Sequence, residues 1–140
     1  MRLVVDTNRI VAALVKDGFS RSVILHFDGE LITVGLAEEE LRRHAREITE
    51  KAGISETGLW LILERLFSRI TVLDDRVIAV YLDEAKEIMR GIDDADVPFV
   101  AAALATRSPI WSDDKHFQRQ SRVDVITSKQ LAEKLGRGSL

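Results

Sequence analysis

The sequence predicts an α/β fold: a three-layer α/β/α sandwich around a central, parallel, five-stranded sheet. Three observations predict it. Short apolar runs rich in β-branched residues alternate with stretches of helical period, the pattern of parallel strands covered by helices on both faces. No repeat, low-complexity tract or internal linker interrupts that alternation. The chain has 140 residues, 46% of them hydrophobic, which suits one domain over residues 1–140 with one continuous core.

Leu3-Val4-Val5 reads as the first strand and ends abruptly at Asp6-Thr7-Asn8, which are cap and turn residues. Ile10, Val11, Ala13 and Leu14 give residues 8–16 a helical spacing. A second helix follows Gly18, with Ser20 as its cap and Val23, Ile24 and Phe27 on one face. After the Asp28-Gly29 turn, residues 31–34 form a second strand. Residues 37–52 read as one charged helix stopped by Gly53. Residues 55–67 form a further helix, with Leu59, Ile62, Leu63, Leu66 and Phe67 in phase. Residues 70–73 are a third strand and 75–90 a helix. Residues 94–107 are an Ala-rich helix in which Pro98 is tolerated near the start. Residues 109–111 and 123–126 are the last two strands. Thr127 or Ser128 caps a final helix through Leu135, and residues 137–140 fray. Trp60, Trp111, Phe99 and Phe117 are expected in the core.

Composition excludes several classes. With no cysteine, neither a disulfide scaffold nor a thiolate zinc site can form, and a reducing, cytoplasmic setting is expected. No apolar run reaches the ~18 residues of a membrane span, and the N-terminus does not read as a signal peptide. Net charge is −3, with the basic residues spread evenly over both halves. Bulk positive charge therefore cannot attract a polyanion; local basic groups or a bound cation must do so.

Acidic residues stand where such a fold opens its crevice, beyond the carboxyl ends of the strands. Asp6 follows the first strand, either as a helix cap or facing that crevice. Asp113 and Asp114 follow Ile110-Trp111-Ser112 in the same way, and one of the two is expected to be an exposed turn residue. Asp93, Asp94 and Asp96 precede an almost uncharged helix, in more numbers than capping needs. A carboxylate at the lip of a buried helix needs a partner, for which a cation is suited. Of Glu38-Glu39-Glu40, at least two are solvent residues, and Glu40 is the inward choice. Carboxylates gathered in one crevice raise one another's pKa unless neutralised. Hard oxygen ligands suit Mg²⁺ or Mn²⁺. Such a centre can polarise a phosphodiester and acidify a water, which is the chemistry of phosphodiester hydrolysis. The three histidines share no metal-ligand spacing, and none is assigned to metal.

VVDTNRIVAALV, Glu40-Leu41-Arg42-Arg43-His44, DADVPFVAAALA and IWSDDKHF resemble, in order over residues 3–126, the PIN-domain ribonucleases, especially their VapC-like toxin branch and prokaryotic relatives. The resemblance implies a metal-dependent endoribonuclease that uses Mg²⁺ or Mn²⁺. By position it implies Asp6, Glu40, Asp96 and Asp114 as catalytic and metal-binding acids, with Asp93 an additional metal candidate. Asn8 and Ser112 match positions that orient the acids or their waters. Arg9, Arg43, His44, Lys115 and His116 lie near these acids in sequence and are expected phosphate contacts. Leaving out the four acids turns the net charge from −3 to about +1. The implied partners are an RNA substrate, an antitoxin protein and a second copy in a homodimer, for which residues 54–67 offer an apolar stripe. The alternative is a non-catalytic PIN-fold module that binds RNA or protein. A phosphatase whose motif needs a second Asp two residues after the first is disfavoured, because position 8 is Asn.

Overall fold

The computed structural model describes residues 1–15 and 18–136. Five strands form one sheet: β1 Arg2–Val5, β2 Glu30–Val34, β3 Ile70–Leu73, β4 Ile110–Trp111 and β5 Val125–Ile126. Their spatial order is β3-β2-β1-β4-β5 and every pairing is parallel, with Leu3 opposite Leu31 and Val5 opposite Trp111. The expected α/β/α sandwich is therefore present, with β1 at its centre.

Strand side chains alternate between the two faces. Leu3 and Val5 enter a core shared with α1 (Thr7–Val15), α2 (Gly18–His26), α4 (Ala45–Ala52), α5 (Glu56–Phe67) and α8 (Ser128–Gly136). Val4 and Ile32 enter the opposite core, with α6 (Asp75–Ile88) and α7 (Val97–Thr106). α7 is apolar nearly all round, and Val97 and Phe99 through Ala103 are buried. That is the signature of a helix enclosed on every side. Its alanines let it lie close against β1, β2 and β4.

Several helix ends follow their capping residues. The Ser55 hydroxyl accepts from the Gly58 N–H at 3.0 Å and opens α5. Thr127 and Gln130 exchange side chain-to-backbone bonds of 2.9 and 3.2 Å, a reciprocal cap one residue before α8 begins. Gly53 closes α4 at φ +69.

Four expectations need correction. Residues 37–52 are two helices, α3 (Gly35–Arg43) and α4, divided at His44 with φ −102 and ψ +13. Ala37 belongs to one core and Leu41 to the other, and Leu41, Ala45 and Ile48 keep to that second core across the break at His44. No Gly or Pro marks that break, and the hydrophobic period runs through it. The helix expected at 94–107 begins as a 3-10 turn, Asp94–Asp96, because the Asp93 carboxylate accepts the Ala95 N–H at 2.9 Å and tightens the chain locally. Ser20 lies inside α2, buried, and does not cap it; its hydroxyl accepts from Arg9 at 3.4 Å. Trp60 is 37% exposed and stands beside Leu61 at 64%, so it lies on the outer face of α5, outside the core. The expectation for residues 137–140, and for the last residue of the first helix, lies outside the described residues.

Close packing of α7 on the sheet makes its alanines intolerant of bulk. Ala102→Leu is expected to cost about 1–3 kcal/mol, read as a lower urea midpoint with an unchanged slope.

Candidate metal centre

The centre is built from neighbouring strand ends. Because Val5 and Trp111 are paired, the residues after them, Asp6 and Ser112, emerge side by side at the carboxyl edge of the sheet. Both are buried. The Ser112 hydroxyl donates to Asp6 Oδ2 at 2.7 Å and accepts the Asp114 N–H at 3.0 Å, so one serine positions two acids. The Thr7 hydroxyl, on the first residue of α1, donates to Glu40 Oε1 at 3.1 Å. This bond ties α3, the helix that leaves β2, to the end of β1. Asp96 sits at the start of α7 without a side-chain capping bond, so its carboxylate is not spent on the helix terminus.

The electrostatics show that these acids share a site. The Asp6 carboxyl is pushed up to about 6, first by burial and then by the charges of Asp114 and Glu40; the Ser112 bond and Arg9 oppose the rise. Asp96 is pushed up to about 7 by burial, then by Asp93, Asp6 and Asp114, with His116 opposing. Asp6, Asp96 and Asp114 thus converge, with Glu40 against the first of them. Asp96 Oδ2 is buried and has no hydrogen-bond partner. A buried carboxylate oxygen without a donor is costly, and a hard cation removes that cost. The donor set accordingly fits a divalent ion.

Asp93 lies at the rim of the same cluster, half-buried, with one oxygen on the Ala95 N–H. The adjacent aspartates divide. Asp114 Oδ1 accepts the His116 N–H at 2.9 Å on the side of the acids. Asp113 turns back, pairing with Arg9 at 2.9 Å and accepting the Ser128 N–H at 2.7 Å. Arg9 also donates to the Ser128 hydroxyl at 3.1 Å, so its guanidinium is engaged inside the protein instead of extending to a phosphate. Asn8 is exposed; with Thr7, Glu40 and His44 it lines a groove of about 260 Å³ beside the centre. Arg43 and Lys115 are exposed. His44 pairs with Glu47 at 3.3 Å.

One side chain here was not assigned to metal from the sequence. His116 Nδ1 lies 3.3 Å from Asp93 Oδ2, 3.6 Å from Asp96 Oδ2 and 3.4 Å from Asp114 Oδ1. The spacing of the histidines from one another conceals this, since only His116 lies beside Asp93, Asp96 and Asp114. The available signal was the position of His116, two residues after an acid at a strand end.

A family model described as the PIN domain matches residues 4–134, and the chain belongs to that family. Its members are typically metal-dependent nucleases. Among solved structures, the chain is similar to one in the crystal structure of VapBC2 from Rickettsia felis bound to a DNA fragment from its promoter. The TM-score is 0.64 at 15% identity, over 91% of this chain and 98% of that one. At that identity the likeness concerns the fold. A search of curated protein sequences finds no significant match. Among the described residues, no helix is long and apolar enough to cross a membrane.

The raised carboxyls make stability pH-dependent. Without metal, the folded chain retains protons on Asp6 and Asp96 that the unfolded chain loses near pH 4, so stability falls as pH rises from about 4 to about 7. Between pH 5 and pH 8, Asp6 alone is expected to remove about 1–2 kcal/mol in urea titrations. Added Mn²⁺ should restore this, and Asp6→Asn should reduce the slope while leaving the part that Asp96 contributes.

Proposed function

We propose that this protein is a metal-dependent endoribonuclease that hydrolyses RNA phosphodiester bonds with Mg²⁺ or Mn²⁺. The observation that carries the reading is the convergence of Asp6, Asp96 and Asp114, from three separate parts of the chain, with the carboxyls of Asp6 and Asp96 raised by burial and by neighbouring acids. Asp6, Glu40, Asp96 and Asp114 would hold the cation, with Asp93 at the rim. When bound, such an ion supplies Lewis-acid polarisation of the phosphodiester and acidifies a water. The protein's own part is positioning. Ser112 orients Asp6 and the Asp114 backbone, and Thr7 orients Glu40. Burial keeps Asp6 out of bulk water. Lys115 and Arg43, both exposed, would neutralise flanking phosphates. Arg9 acts at one remove, through its charge on Asp6.

The likeness to the VapBC2 chain supports a role as the toxin of a toxin–antitoxin pair in the cytoplasm, with an antitoxin protein as partner. Trp60 and Leu61, exposed on α5, support a homodimer through that face.

The test is cleavage of a mixed single-stranded RNA pool with Mg²⁺ or Mn²⁺. Asp6→Asn, Asp96→Asn and Asp114→Asn should each lower the rate by at least about 100-fold, with circular dichroism unchanged. Lys115→Ala should weaken RNA binding modestly and reduce its salt dependence. Undiminished cleavage by Asp6→Asn would reject the assignment.

A further inference from the structure

We propose that His116 Nδ1, together with Asp93 and Asp96, forms a mixed nitrogen–oxygen cation position that takes a first-row divalent transition ion in preference to Mg²⁺. This deepens the metal-centre reading above and rests on it. Three acidic residues at a helix start would not carry the idea alone; the imidazole does.

Donor atoms of Asp93, Asp96 and His116 all lie within 4.8 Å of one another. His116 Nδ1 stands 3.3 and 3.6 Å from the nearer oxygens of Asp93 and Asp96. With bonds near 2.1 Å, adjacent ligands of one ion are ~3.0 Å apart in an octahedron and ~3.4 Å in a tetrahedron. The two separations from His116 Nδ1 are therefore close to the edges of a coordination shell. An ordinary ion pair explains them less well. A protonated Nδ1 has one hydrogen to donate, yet it faces three carboxylates at nearly equal distance and makes a hydrogen bond with none of them. Asp96 Oδ2 is also without a hydrogen-bond partner.

The surrounding bonds hold the donors in place. Asp93 Oδ1 is fixed by the Ala95 N–H, which leaves Oδ2 on the imidazole side. The His116 N–H is held by Asp114 Oδ1 at 2.9 Å, anchoring the backbone that carries the ring. Nδ1 itself is buried while the side chain as a whole is 44% exposed, so the exposed part is the rest of the ring. Mg²⁺ demands oxygen and sheds its waters reluctantly, whereas imidazole nitrogen suits transition ions. One histidine among acids thus shifts the preference of the position.

Mn²⁺ is the probe, added to the full chain without RNA. Pulsed electron paramagnetic resonance should show ¹⁴N coupling to bound Mn²⁺. Mg²⁺ should displace the ion only with at least about tenfold weaker affinity. His116→Ala should abolish the ¹⁴N signal and weaken Mn²⁺ binding by about tenfold, with Mg²⁺ affinity changed less than about twofold. Bound Mn²⁺ without ¹⁴N coupling in the unmodified protein overturns the proposal, and so does a protein that binds no Mn²⁺. The unmodified protein's spectrum decides the matter even if the variant fails to fold. RNA left intact by a protein that shows the ¹⁴N signal would remove the nuclease reading and support this one. Cleavage with no ¹⁴N signal would do the reverse.

Discussion

Everything at the carboxyl edge of the sheet depends on one constraint: negative charge placed where water cannot solvate it well. Asp6 is 4% exposed and has other carboxylates for neighbours. Burial and like charge act in the same direction on it, and the Ser112 hydroxyl and Arg9 offset them only in part. A fold that keeps such a group has built a liability into its centre, and that liability becomes useful when a cation arrives. Strained electrostatics at a site and ordinary packing elsewhere are what a functional centre on a stable scaffold looks like.

The scaffold explains why acids so distant along the chain meet. Parallel strands all end at the same edge, so the residues that follow β1 and β4 are neighbours by topology alone. α3 leaves β2 at that edge and delivers Glu40. α7 lies across the centre of the sheet, enclosed by apolar contacts, and presents Asp96 at its start. Asp6 and Asp96 are thus carried at element termini, Glu40 within α3, and Asp114 on the short link after β4, where Ser112 holds its backbone.

Much of this was legible in the sequence, for physical reasons. Buried parallel strands are short apolar runs, and polar residues just after one mark the crevice; Asp6 and the Asp113-Asp114 pair were visible on those grounds, and the choice of Asp114 came from the family resemblance. The enclosed α7 announced itself by the near-absence of charge from 97 to 106. What stayed hidden depends on tertiary context. The break at His44 falls between Leu41 and Ala45, which pack in the same core, so the hydrophobic period runs on across it and does not mark it. The separate fates of Asp113 and Asp114 depend on a guanidinium more than a hundred residues away in sequence. Trp60 looked like core because aromatic residues usually are, yet its helix presents it outward. His116 became interesting only when three carboxylates were found around it.

The knot of contacts behind Asp6 has a further consequence. Ser128 accepts from both Arg9 and Trp111, and its backbone N–H reaches Asp113. Arg9, whose charge tempers Asp6, is thereby moored to the beginning of the last helix. The tail of the polypeptide, which donates no acid of its own, in this way helps to set the field felt at its head. Perturbing that distant anchorage would retune the central carboxylate without touching it.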